Sequence, residues 1–437
     1  MTILTTAPSL WRVEKAVAIS HNLQAHRPSP VAVGFAAPPI ATGIRFRPRA
    51  LAAAIARTVT LRDAPEALLA QWARSSLLEV KFLIADGPSF EVSEAIRSLA
   101  DAERTAFAGR VGAGITDLVM NGLGYTWRDN GACLAGSKSR PDFIYGGGHA
   151  DGHGVVVAEA HGSFAEDVTE KRIERKANEK YAKQVKPHIG ESCTHGKLVH
   201  GYSVAFGSNP TSQDTYLHVA EKKIPKPRRK SKTSVGTADP TRGGTPAGLA
   251  LAAYRANFLL MGAAKVVAWI DWLRRVRQVQ PEPSLSTFFV IEQEGRRFIA
   301  ATEAFLPNLP LGSWLQESDS PPFWPYHLDE FWRWRGAGPV AWEDIFAMDE
   351  SVAKAFLFEL SALIRGSGEG LPEILNLPSV EPIGLTLRLE GLAADGEGRY
   401  PVTRFRDGLA ILGRVPPSSL AASRLRWSPE SGFDAMD

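Results

Sequence analysis

The sequence predicts an α/β protein of more than one domain, and three observations carry that expectation. The chain has 437 residues, whereas a single domain usually takes about 100–200. It is 44% hydrophobic and 22% charged, a globular balance that excludes wholesale disorder, collagen and a simple coiled coil. Residues 102–221 read in the order helix, three strands, helix, two strands. The expected layout is a helix-rich N-terminal region over 1–101, an α/β core over 102–222, a basic flexible loop or linker over 223–245 and an α+β region over 246–437.

Taken in order, the runs at 48–58 and 64–85, rich in Ala, Leu and Arg, read as helices, while Pro-rich stretches at 26–30 and 36–40 break the lead-in. The next helix covers 102–123: Val111, Ile115, Leu118 and Val119 recur at helical spacing, and Gly122 and Gly124 mark its end. Short strands are expected at 124–134 and 140–145, with Asn130-Gly131 as a turn. A glycine-bracketed loop at 146–154 then leads into the apolar run 155–160, which suits a buried strand. The charged helix 166–188 follows, its apolar stripe formed by Ile173, Ala177, Tyr181 and Val185 at four-residue steps. Residues 201–207 and 215–221 are strand-like. The stretch 222–245 is too polar and too rich in Pro and Gly to bury a core. Beyond it the pattern predicts a long helix over 246–277, a hairpin over 287–301 turning at Glu294-Gly295, an irregular Pro- and Trp-rich stretch over 306–326, a helix over 349–364, and strands at 384–390 and 401–409.

Charge narrows the partner classes. Between Glu170 and Lys232 stand fifteen Lys or Arg against six Asp or Glu, although the whole chain carries only +3. A basic middle on a mildly acidic remainder is the footprint of a protein that holds a polyanion, as well as the pattern of an ordinary solvated helix face. The most apolar stretch, 247–273, is interrupted by Arg255, Lys265 and Asp271 and reads as a buried helix, so no membrane association is expected. The N-terminus lacks a basic segment followed by an apolar one. Its two cysteines, Cys133 and Cys193, suit a reducing compartment. Together these point to the cytoplasm.

The segment that carries chemistry is Arg140-Pro141-Asp142, then Val155-Val156-Val157-Ala158-Glu159-Ala160-His161. If the two strands pair antiparallel, Asp142 and Glu159 point to one side of the sheet. They would then make an oxygen-rich pocket for a hard divalent cation such as Mg²⁺ or Mn²⁺, which the Ala160 carbonyl could complete. Glu159 stands in an apolar run where an unpaired carboxylate is costly. Lys176, Lys180 and Lys183 share a face of the following helix. Each of them, or the adjacent Gln184, could reach the site or a phosphate, and Arg228, Arg229 and Lys230 extend the basic surface. Six of the ten histidines fall in 149–200, but His149-x3-His153 and Cys193-x-His195 match no standard finger, so Zn²⁺ is not expected. The aromatic stretch 323–335 reads either as a platform for unpaired bases or as a satellite core.

The Pro141-Asp142 pair followed by Glu159-x-His161 resembles the PD-(D/E)xK nuclease superfamily, with histidine where lysine is usual. The element order over roughly 102–221 is similar to that superfamily's αβββαβ restriction-endonuclease-like core. The resemblance implies Mg²⁺-dependent phosphodiester hydrolysis, with DNA as the first expected substrate and RNA as the second, in a setting such as defence against foreign nucleic acid. It implies Asp142 and Glu159 as metal ligands, Asp117 on the preceding helix as a further metal acid, and His161 at the catalytic position, with a homodimer as one expected assembly. Histidine there leaves three outcomes open. It acts as base or cationic stabiliser, or a lysine from the next helix such as Lys176 or Lys180 supplies the charge, or the site binds nucleic acid without cutting. Two rival functions follow: a catalytically inactive nucleic-acid-binding protein, and a protein-interaction scaffold.

Overall fold

The structure, a computed structural model, describes residues 13–25, 35–62, 64–134, 139–224, 244–302, 344–367, 370–388, 402–413, 415 and 424–436. Arg228, Arg229, Lys230, the irregular stretch 306–326 and the aromatic stretch 323–335 lie outside the described residues. The chain is mixed α/β and forms two units. One comprises Met1–Ala253 with Pro372–Asn376 and Pro382–Arg399, and the other comprises Tyr254–Leu371, Leu377–Glu381 and Tyr400–Asp437. Residues 1–101 and 102–222, expected as separate regions, thus belong to one unit, and the division falls near residue 253.

The first unit contains β1 (Lys15–Gln24), β2 (Gly43–Phe46), α1 (Pro48–Val59), α2 (Glu66–Leu83), α3 (Asp101–Gly122), β3 (Trp127–Asn130), β4 (Phe143–Gly146), β5 (Val155–Ser163), α4 (Glu170–Lys180), β6 (Ser192–Cys193), β7 (Gly196–Ser208), β8 (Thr215–Lys222) and β9 (Thr245–Pro246). Helices α1 and α3 form where the sequence predicts them. Pro48 opens α1 at its first turn, where a missing N–H costs nothing. Strands β1 and β2 are a correction to the helical lead-in. The 15–24 segment alternates buried and more exposed positions over its first half, and it enters the sheet between β2, antiparallel, and β8, parallel.

From the edge inward the main sheet runs β2-β1-β8-β7-β5-β4-β3. Strand β5 pairs antiparallel with β4 and parallel with β7. Parallel neighbours need a crossover connection, and α4 supplies it. The Val155–Ala158 run is fully buried, as a strand covered on both faces requires. Helix α3 packs on one face of β5. At the contact Gly162 has no room for a side chain, because a Cβ there would sit 1.7 Å from the Ala108 carbonyl oxygen.

The second unit contains α5 from Tyr254 onward (α5 is Ala247–Leu260), α6 (Ala264–Leu273), β10 (Ser286–Gln293), β11 (Arg296–Ala301), β12 (Ile345–Asp349) and α7 (Glu350–Arg365). The short strands β13 (Ile374–Leu375) and β14 (Leu385–Thr386) belong to the first unit, where β14 extends the main sheet beyond β2. The second unit is completed by β15 (Val402–Arg404), β16 (Leu409–Leu412), β17 (Arg424–Ser428) and β18 (Gly432–Met436). Its sheet, in the order β15-β16-β12-β11-β10-β17-β18, is antiparallel throughout. The helix predicted over 246–277 is two helices, interrupted at Met261–Ala263. The hairpin turn at Glu294-Gly295 is present, both residues having positive φ. Helix α7 starts at Asp349, whose side chain accepts the Ser351 N–H. The strand expected at 401–409 is a hairpin of β15 and β16. Among the described residues no helix is long and apolar enough to cross a membrane.

Candidate functional site

The two carboxylates singled out by the sequence meet. In the β4–β5 ladder Phe143 faces Ala158 and Ile144 faces Val157, so one step further Asp142 faces Glu159. Residues directly opposite in a ladder project to the same side. Each side chain then accepts a backbone N–H from the facing segment: the Asp142 N–H donates to Glu159 Oε2 at 3.2 Å, and the Ala160 N–H donates to Asp142 Oδ2 at 3.0 Å. The turn after β3 fixes the approach. Gly131 N–H donates to the Asp142 carbonyl at 2.8 Å, and a Cβ on Gly131 would lie 1.8 Å from the Pro141 oxygen.

Asp142 is exposed, whereas Glu159 is only 1% exposed. Burial first, and the neighbouring Asp142 second, push the Glu159 carboxyl up to about 8, against the pull of Lys180. Lys180 donates to Glu159 Oε1 at 2.8 Å. It reaches there because α4 is held over the sheet by its stripe: Ile173, Ala177, Tyr181 and Val185 are all buried. The Thr169 hydroxyl caps the helix by accepting the Arg172 N–H. The helix expected over 166–188 is α-helical over Glu170–Lys180 and continues as a π-helical turn, Tyr181–Val185. Such a widened turn shifts which residues face the sheet, and it begins directly after Lys180.

His161 lies two residues beyond Glu159 on β5, hence on the same face. Burial, then Lys180, Lys176 and Arg172, push its imidazole down to about 4, so it is neutral at pH 7. A neutral His161 does not provide the cation that lysine would. Lys180 does. Lys176 and Lys183 turn instead to Glu179, at 3.2 and 2.9 Å, and first Lys183, then Lys176, hold its carboxyl down at about 2. Gln184 donates to the Arg140 carbonyl at 3.0 Å and ties the helix to the segment before Asp142.

Asp117 does not join this group. It accepts from the Tyr145 hydroxyl at 3.3 Å and pairs with Arg57 and Arg128 at 3.1 and 3.8 Å. Tyr145 stands opposite Val156 in the ladder, and both alternate away from Ile144, Asp142 and Glu159. Asp117 therefore lies across the sheet, on the α3 face, and serves as the counter-charge of two buried arginines. The histidine-rich stretch disperses as well. His188 contacts Glu191 at 2.9 Å, His195 contacts Asp129 at 2.9 Å, His200 contacts Glu221 at 3.2 Å, and His153 packs against the Phe35 ring. Among the described residues no group of three or more His, Cys, Asp or Glu is placed to hold a metal ion. The Gly131–Pro141 contact and the Ala160 N–H were not foreseen from the sequence. The Asn130-Gly131 turn signal was the available clue.

What remains is a pair of hard oxygen donors, one buried and one open to solvent, beside an ammonium group. That donor set suits a hard divalent cation that keeps several waters, as Mg²⁺ does, since two carboxylates alone do not fill six positions. No protein-family model, curated protein or solved structure matches the chain.

Proposed function

We propose that the Asp142–Glu159–Lys180 face hydrolyses phosphodiester bonds in nucleic acid, DNA first and RNA second, with a divalent cation as cofactor. The observation that carries this reading is the facing of Asp142 and Glu159, each accepting a backbone N–H from the other's segment, with Lys180 on the buried carboxylate. The sequence order α3, β3, β4, β5, α4, β7 supports its assignment to the restriction-endonuclease-like αβββαβ class. A bound cation would supply positive charge against the phosphoryl oxygens and make a coordinated water more acidic.

The protein's own groups divide the remaining work. Asp142, exposed and oriented by the Ala160 N–H, and Glu159 would hold the cation. Lys180 sets the charge on Glu159 and stands where the lysine of the motif's third position would act. Neutral His161 orients water by hydrogen bonding and does not act as a cation. Lys183 and the exposed basic residues of α4 face the phosphates of the substrate.

The test is nicking of supercoiled plasmid with Mg²⁺ or Mn²⁺. Glu159→Gln, Asp142→Asn and Lys180→Met are each expected to lower the rate by about 100-fold or more, the scale of lost electrostatic stabilisation, and His161→Gln by less than Lys180→Met. Salt-sensitive binding by the native protein without cutting would replace this reading with that of an inactive nucleic-acid-binding protein. No binding of DNA or RNA at low salt would favour the scaffold.

A further inference from the structure

The two cysteines are sixty positions apart in sequence, yet the loops that carry them meet. Cys133 closes the short helical turn Gly131–Cys133 that follows β3, with its thiol 3.6 Å from the Asn130 carbonyl. Cys193 lies on β6 in the tight turn to β7, paired with Gly196, and its sulfur accepts the His195 N–H at 3.4 Å. The His195 ring reaches back to Asp129, the neighbour of Asn130, at 2.9 Å. This contact joins the two loops and brings the thiols of Cys133 and Cys193 within range of each other's charge. Both cysteines are free and half-buried.

The two sulfurs are not equivalent. The Cys193 sulfur accepts a backbone N–H, that of His195, at 3.4 Å, a contact that favours the thiolate, and its thiol is held below the usual range by Cys133 first and by the His195 and Gly196 N–H groups next. The Cys133 thiol instead donates to the Asn130 carbonyl, a contact that favours the protonated form, and Cys193 first and burial second push it up. A sulfur stabilised as thiolate is the nucleophile of such a pair, and the other is the resolving thiol.

We propose that Cys193 and Cys133 form a hydroperoxide-reactive dithiol that closes to a disulfide. The Cys193 thiolate attacks one oxygen of hydrogen peroxide. An S–O bond forms and the O–O bond breaks, hydroxide leaves, and sulfur is oxidised by two electrons as the peroxide is reduced. Cys133, losing its proton, then attacks the sulfenic sulfur. The S–S bond forms, the S–O bond breaks, and the departing hydroxide is protonated, so that two thiols and one peroxide give one disulfide and two waters. The loop so closed runs from 133 to 193 and contains Asp142, Glu159, His161 and Lys180. Oxidation therefore staples both ends of the segment that carries the candidate site, whatever reaction that site performs.

The experiment treats the full-length protein with equimolar hydrogen peroxide and counts thiols under denaturing conditions. Two are expected to fall to none in a monomeric product whose thermal midpoint is raised by roughly 5 °C or more, as closure of a long loop predicts. Reductant should restore both. With Cys133→Ser, dimedone should trap a sulfenic acid at Cys193 about ten-fold faster than it labels Cys133 in Cys193→Ser. Two titratable thiols after treatment, disulfides only between chains, or equal labelling of the two cysteines would each overturn the proposal. None of these outcomes depends on nucleic-acid cleavage.

Discussion

The two faces of the main sheet each bury a carboxylate, and the contrast between them separates structure from chemistry. Asp117 and Glu159 are equally inaccessible, each 1% exposed. On the α3 face Asp117 has two guanidinium groups and a phenol around it, so its negative charge is fully compensated. On the α4 face Glu159 has one ammonium and a second carboxylate beside it, so its charge is under-compensated and its carboxyl tends to keep its proton. A charge fully met by neighbours holds a fold together. A charge left short of partners is disposed to accept a cation or exchange a proton.

Three substitutions break or sharpen this contrast. The largest effect is expected from Asp117→Ala, which leaves Arg57 and Arg128 buried without their shared counter-charge. It should lower unfolding free energy by about 3–5 kcal/mol in urea titrations. A loss below about 1 kcal/mol would show that the arginines find other counter-charges and that Asp117 is not the keystone of its face.

Next comes the pH dependence of Glu159. Its carboxyl rises from an ordinary 4.5 to about 8 in the folded chain. The folded state therefore holds a proton that the unfolded state has released, and stability falls as pH climbs between those values. His161, still half protonated in the unfolded chain at pH 6.5, contributes alike to the native chain and to the variant and cancels from their difference. From pH 6.5 to 8, Glu159→Gln should remove a loss of about 2 kcal/mol that the native chain suffers. A parallel decline in the variant would mean that other groups set the slope. Added Mg²⁺ should reduce the native decline and leave the variant unchanged.

The smallest effect belongs to Lys183→Ala. Its ion pair with Glu179 is largely exposed, and pairs of that kind contribute less than about 1 kcal/mol. The urea midpoint should barely move, whereas DNA binding should weaken and become less salt-dependent.

Much of the site was legible in the sequence because it rests on local patterns. The apolar run ending in Glu159 specifies a covered strand, and the stripe Ile173, Ala177, Tyr181, Val185 specifies a helix docked on a sheet. Position 180 lies on the flank of that stripe. Asp142 was legible through the turn at Pro141 and its spacing to the next strand. Asp117 was misplaced because helical periodicity does not reveal which side of a sheet the helix will cover, and its partners Arg57 and Arg128 come from elements on either side in sequence. Strands β1 and β2 were missed for a related reason. Lys15–Gln24 alternates only over its first half, and its parallel partner in the sheet is supplied by β8. The split of the 246–277 helix at Met261–Ala263 was hidden by an apolar composition that continues through it.

That remote pairing bears on how the molecule is assembled. Ile19 lies beside Leu217, so a segment that leaves the ribosome early cannot reach its neighbour until about two hundred further residues have been made. Strands β4, which follows Asp142, and β5, which bears Glu159, form a hairpin between close neighbours, and local pairings of that kind form quickly. During synthesis the β4–β5 hairpin can therefore exist while the sheet beyond β8 is still an open edge. Occupying that edge with the waiting first strand becomes possible only once β8 has emerged, and it protects the nascent chain against pairing with its own copies.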